Sequence, residues 1–128
     1  MIEVDSKLEE DVVIVRFSRI VTTREFTDLA ATIADFGSKD RTLVYLDWVE
    51  IDRWEFIVPR PNGVTVWGRA RKTVKRAVIV HPPRLNRQAA WLAAVLRGGG
   101  VEVRSWRPRD AAAAAIWLRH PFRAATLS

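Results

Sequence analysis

The chain contains no cysteine among its 128 residues. That excludes a disulfide framework and any thiolate chemistry. Glycine and proline are sparse, six of each, so neither a fibrous repeat nor a low-complexity chain fits. Long apolar runs are missing too. The longest, residues 111–118, covers eight positions, against roughly 20 for a helix that crosses a bilayer. The opening Met-Ile-Glu-Val-Asp lacks the basic start and apolar core of a signal peptide, and a cytoplasmic location is expected. No GxGxxG, phosphate-binding loop or GxSxG occurs. The two histidines, His81 and His120, lie far apart and each precedes a proline, so no His-based metal spacing exists. No cofactor and no enzymatic activity are expected.

What is present is a chain 48% hydrophobic and 28% charged, long enough for one domain that buries roughly 65–70% of its unfolded surface. Its charge is divided. Residues 1–59 carry seven basic and thirteen acidic side chains, whereas residues 60–128 carry fourteen basic and two acidic, Glu102 and Asp110. Within one sheet the two fields would partly neutralise each other. Alternatively, opposite patches could drive self-association, or a polyanion could be bound.

Val12 to Phe17 and Glu3-Val4-Asp5 are β-rich and flank an acidic turn, which reads as an antiparallel hairpin. Thr22 and Glu25 fit a capping box. Phe26, Leu29, Ala30 and Ile33 then fall on one helical stripe that Gly37 would end. Thr42 to Leu46 and Ala77 to Val80 are apolar enough to be strands covered on both faces. Residues 47–63 are irregular, with Pro59 and Pro61 barring a regular helix or central strand. From Val64 a helix would place Trp67, Ala70 and Val74 on one side. The basic residues Arg69, Lys72 and Arg76 would lie on another, although Val64 to Trp67 could equally be a strand. Asn86 is positioned to cap a helix closed by Gly98-Gly99-Gly100. Val101 to Trp106 alternates like an exposed strand. Asp110 would cap a last helix, residues 111–119, halted by Pro121. The order β-β-α-β-α-β-α-β-α implies right-handed crossovers.

Asp47, Glu50, Asp52 and Glu55 form the one carboxylate cluster that a hard cation would suit, though such clusters are usually solvated and no metal is expected. His81, Asp47 and Arg107 each follow a strand directly, so neighbouring strands would gather them on one rim, where open sheets bind ligands. A His–Asp pair there could act as a base, but no nucleophile joins it. Five basic residues fall within positions 69–76. A solvated face explains them more simply than nucleic acid or a peripheral membrane contact. Six tryptophans are the least ordinary feature. Core packing accounts for most of them, while Trp48 and Trp54, beside Phe56, could instead line a pocket or form an exposed patch.

The hairpin, the capped helix and the strands Thr42–Leu46 and Lys75–Val80 resemble the STAS fold of anti-sigma-factor antagonists. Arg76 to Val80, the strand Val101 to Trp106 and a last helix with Ala114 to Leu118 are similar to its SpoIIAA-like branch, also grouped with CRAL-TRIO lipid carriers. The resemblance implies a single α/β domain with a mixed, mostly parallel sheet of about five strands and about four helices. Antagonists of the sporulation type are phosphorylated on a Ser at the start of the second helix. Here the equivalent Asp47-Trp48-Val49-Glu50-Ile51-Asp52-Arg53 has no hydroxyl to modify. A non-enzymatic regulatory or protein-interaction module is therefore expected, binding a protein partner or a second copy as a homodimer. Its surface would be the loop Asp47–Phe56 with Asp52, His81, Arg84 and Arg107. Trp48 and Trp54 would serve as apolar anchors, and the two arginines would select an acidic group. The alternative is a carrier of a small apolar or anionic amphipathic ligand.

Overall fold

The computed structural model describes residues 1–7, 12–36, 42–55 and 67–119. In chain order these form β1 (Ile2–Lys7), β2 (Val12–Val21), α1 (Thr23–Phe36), β3 (Thr42–Trp54), β4 (Val74–Val80), α2 (Asn86–Arg97), β5 (Glu102–Trp106) and α3 (Ala111–Arg119). A fourth helical piece, residues 67–70, runs into a short 3₁₀ turn at Arg71–Thr73. The five strands make one sheet in the order β1-β2-β3-β4-β5. β1 is antiparallel to β2, and the remaining pairs are parallel.

Each strand after the hairpin is added on the same side of the one before it. Right-handed crossovers then put every connecting helix on one face. That face buries Val13, Val15 and Phe17 of β2, Val44, Leu46 and Trp48 of β3, and Ala77 and Ile79 of β4. Against them pack Phe26, Leu29, Ala30 and Ile33 of α1, Leu92 and Leu96 of α2, and Trp67 with Ala70. α3 has no strand after it and crosses to the opposite face. There Ala114 and Leu118 close over Val12, Val78 and Val80. The two apolar runs in β3 and β4 are thus covered on both sides, as their composition requires.

Three expectations are corrected. The helix expected across residues 64–76 is reduced, among the described residues, to one turn. β4 begins at Val74, and a bulge opposite Thr42 and Leu43 turns Arg76 toward the α3 face. Asn86 does not cap α2. The turn Pro83–Leu85 winds directly into the helix, and no side chain caps it. Asp110 likewise sits in the turn Pro108–Asp110 that feeds α3. In both places a proline at the first position of the turn starts the winding instead, its fixed φ suited to that position. Gly37, Pro59, Pro61 and Pro121 lie outside the described residues.

The triple glycine does end α2. Gly98 N–H bonds to the Ala94 carbonyl at 3.0 Å, and Gly100 adopts φ 85°, a left-handed conformation open to glycine. At Gly99 a Cβ would meet the Arg71 side chain at 2.4 Å, so that side chain would have to shift. The capping box is reciprocal, with Thr22 N–H donating to Glu25 Oε1 and Glu25 N–H to Thr22 Oγ1, each at 3.2 Å. Burial alone would raise the Glu25 carboxyl. The hydrogen bonds from Thr22 and the nearby chain amine outweigh that effect and hold it below its usual range. Its contribution to stability is therefore present above its unfolded pKa and fades as the pH falls through the lower folded value. Thr22→Ala is expected to cost about 1 kcal/mol in chemical denaturation at pH 7, with the deficit shrinking in acid as Glu25 protonates in both proteins.

Candidate functional site

β4 and β5 are neighbours, yet the chain leaves them in opposite directions. After Val80 it turns through His81 and Pro82 toward α2 on the first face. After Trp106 it turns through Arg107 and Pro108 toward α3 on the other. Adjacent strands whose connections part in this way leave a crevice beyond their carboxyl ends. The crevice here has a volume of about 210 Å³ and is lined by His81, Pro83, Asn86, Ser105, Trp106 and Arg107. A backbone bond from His81 N–H to the Trp106 carbonyl, 3.0 Å, ties its two lips together.

His81 is only 7% exposed. Its ring packs 6.4 Å from that of Trp48, and Nδ1 lies 2.9 Å from the Pro82 carbonyl oxygen. A carbonyl can only accept, so Nδ1 carries the proton and donates. Nε2 has no hydrogen-bond partner among the described residues. Trp106, half-buried, likewise holds its indole N–H out of solvent with no partner among them. Arg107, Ser105 and Asn86 are exposed around this core. The crevice thus gathers a cation, a hydroxyl, an amide and a buried imidazole.

Of the residues expected to work together, His81 and Arg107 share this crevice, and the others do not. Asp47 faces the α3 side, lining a hollow with Ile14, Arg16, Tyr45 and Leu118. Its Oδ1 accepts the Val49 N–H at 3.1 Å. His81 packs on Trp48, which points to the first face, so no His–Asp pair forms. Burial pushes the Tyr45 phenol up, Asp47 pushes it further, and Arg16 partly opposes both. Asp52 is exposed beside Glu3, Arg19 and Glu50. Among the described residues no three acidic or histidine side chains are placed to hold a metal ion.

The segment expected as an exposed loop is largely strand, since β3 continues to Trp54 beside β2. Trp48 is therefore fully buried and cannot be a surface anchor. Trp54 is half-buried, stacked 6.2 Å from Phe17 and tilted against Trp48 at 4.7 Å. Alternation along β3 drives Trp48 inward, and the surrounding aromatic rings then enclose Trp54. Phe56 lies outside the described residues. Arg84 is committed elsewhere: its Nη2 donates to the Ile51 carbonyl and its Nη1 to that of Asp52 at 3.5 Å. β3 extends beyond its last pairing with β4, at Asp47 and Val80. Arg84 thus binds carbonyls of the part of β3 that no longer pairs with β4.

The basic run 69–76 is similarly divided. Arg71 bonds to the Val95 carbonyl at 2.9 Å, and Arg76, 5% exposed, turns inward. Arg69, Lys72 and Lys75 are the members that face solvent. Asn86 and Ser105 also line the crevice, and the sequence reading does not place them there. Their signal was position: Ser105 near the carboxyl end of β5, and Asn86 at the start of α2.

The chain superposes with a TM-score of 0.60 on the crystal structure of an uncharacterised protein from the DUF3478 family of Shewanella loihica PV-4, described as having a SpoIIAA-like fold. The two share 14% sequence identity over 92% of each chain. This chain has a SpoIIAA-like fold. No protein-family model and no curated protein matches the sequence. Within that SpoIIAA-like frame, no helix among the described residues is long and apolar enough to cross a membrane.

Two substitutions test these placements. Trp48→Ala is expected to cost about 3–5 kcal/mol in equilibrium unfolding, as for a large aromatic removed from a core; a loss below about 1 kcal/mol would return Trp48 to the surface. Asp47→Asn should lower the titration midpoint of Tyr45 in ultraviolet absorbance and leave the NMR chemical shifts of the His81 ring unchanged. A large His81 shift would place the two side chains together.

Proposed function

We propose that the protein is a non-enzymatic interaction module that holds an acidic group of a partner in the crevice between β4 and β5. The partner is another protein or a second copy of this chain. The observation that supports this reading is the convergence of His81 and Arg107 on one crevice, at the point where the connections of adjacent strands part. Arg107 supplies the charge, and its forked guanidinium suits a carboxylate or a phosphoryl group. Around it, Ser105 and Asn86 offer short polar contacts that fix orientation. Trp48 and Trp54 strengthen the module from within, as the aromatic packing behind His81, rather than by touching the partner.

A second reading, a carrier of a small anionic amphipathic molecule, draws on the hollow of about 200 Å³ between the sheet and α3. Its wall of Val12, Ile14, Ala115 and Leu118 is flanked by Arg16 and Arg119. Native mass spectrometry of freshly purified protein, repeated after denaturation, separates the two. The module is expected to show the bare chain or its multiples. An added mass of constant value that disappears on denaturation would overturn the module in favour of the carrier.

A further inference from the structure

We infer that the protein forms a two-fold dimer in which the outer face of α3 of each copy packs on the bare part of the other copy's sheet. This surface is separate from the crevice between β4 and β5 and stands independently of what that crevice holds.

From Ala111 to Leu118, α3 carries no polar side chain other than the indole of Trp117. Ala114 and Leu118 are buried against the sheet. With about 3.6 residues to a turn, Ala112, Ala113 and Ile116 fall on the opposite side. All three are exposed, Ile116 to 69%. A helix that covers a sheet with one side and meets water with the other is polar on its outer side, whereas a helix apolar all round is a buried one. Arg109, in the turn that leads into α3, and Arg119, its last residue, are exposed at the two ends of the strip.

The sheet has room for such a helix. Strands lie about 4.8 Å apart and packed helices about 10 Å apart, so a floor of five strands takes two helices side by side. The first face has its two, α1 and α2. The second face carries α3 alone among the described residues, set over β3 and β4. Val21, Trp48 and Ile51 point to the first face, so their neighbours Ile20 and Val49 turn to the second, where they are 40% and 39% exposed. The ground around them is predominantly acidic. Glu3, Asp47, Glu50 and Asp52 line its grooves, with Arg16 and Arg19 among them.

A second copy meets both demands. Its α3 brings Ile116 toward Ile20 and Val49, and Arg109 and Arg119 toward the acidic rim, where opposite charges favour the docking. A two-fold axis makes the exchange reciprocal. The two α3 helices then lie side by side in one layer between two sheets, and each sheet gains a second helix on its second face. The arrangement is closed and stops at two. A lipid surface suits α3 less well. Two of its three exposed apolar residues are alanines, and the acidic face beside them would be repelled by anionic headgroups.

The experiment is sedimentation equilibrium of the full chain at pH 7 over a wide range of concentrations, with circular dichroism to confirm that each variant is folded. The native chain is expected to reach the mass of two chains and no more. Ile116→Glu and Val49→Glu, both exposed and on opposite sides of the contact, should each weaken the dimer at least tenfold without changing the far-ultraviolet spectrum. Arg109→Glu with Arg119→Glu in one chain, and Glu50→Lys with Asp52→Lys in another, should each weaken it too. Mixing those two chains should restore a dimer that contains one of each. Arg107→Gln, which strips the crevice of its cation, should leave the dimer intact; if it dissolves the dimer instead, the copies meet through the crevice and the inference falls. A chain that stays monomeric throughout would overturn it, as would a dimer indifferent to both Ile116→Glu and Val49→Glu, or species that keep growing beyond two. A monomer that sediments with phosphatidylglycerol vesicles, and no longer does so after Ile116→Glu, would assign α3 to a membrane surface and overturn it as well.

Discussion

The guanidinium of Arg76 fixes the arrangement on which the crevice depends. It sits in β4, nearly sealed from solvent, where an uncompensated charge would be strongly destabilising. Its Nε and Nη2 donate to Glu102 on the adjacent β5 at 3.3 and 3.1 Å, and its Nη1 donates to the Trp117 carbonyl of α3 at 2.9 Å. The same group lies 4.7 Å from the centre of the Trp117 ring, and Arg104 lies 5.0 Å from that ring. One side chain therefore joins two strands to the only described helix that covers the second face. With α3 held there, the chain leaving β5 must part from the chain leaving β4. The crevice is the space between them.

The fold was largely legible because its rules are local. Alternation and apolar runs located the strands of the sheet, and the Thr22–Glu25 box marked the start of α1. The site was less legible, because the relevant information lies in which face a side chain takes. Asp47 and His81 both follow apolar runs, and in sequence nothing separates them. Register places one on the α3 side and packs the other on Trp48. The same limit explains Trp48, whose neighbours Asp47, Glu50 and Asp52 look like those of a loop although the strand runs on beneath them. In sequence Arg84 looks like a recognition residue because its target, two backbone carbonyls of β3, exists only once the strand overshoots β4.

Strand order also carries the division of charge into space. The acid-rich first half of the chain supplies β1, β2 and β3, and the basic second half supplies β4, α2, β5 and α3. Acidic groups such as Glu3, Glu50 and Asp52 gather at one end of the sheet, while the crevice lies toward the basic end, where Arg107 lines it. A field of this kind draws anions toward the basic end from a distance, and salt screens it beyond about 8 Å at physiological strength.

The sheet order has a consequence for how the molecule is made. From β2 onward, every strand takes as its neighbour the strand synthesised just before it. Chains emerging from the ribosome fold amino-terminal part first, so this sheet can widen one strand at a time from a single growing edge. No strand has to be inserted between two already placed. The second face is the exception. Val12 is made early, but its cover, Leu118, is among the last described residues to appear. Until α3 emerges, the nascent domain presents an apolar strip that, among the described residues, Ala114 and Leu118 cover.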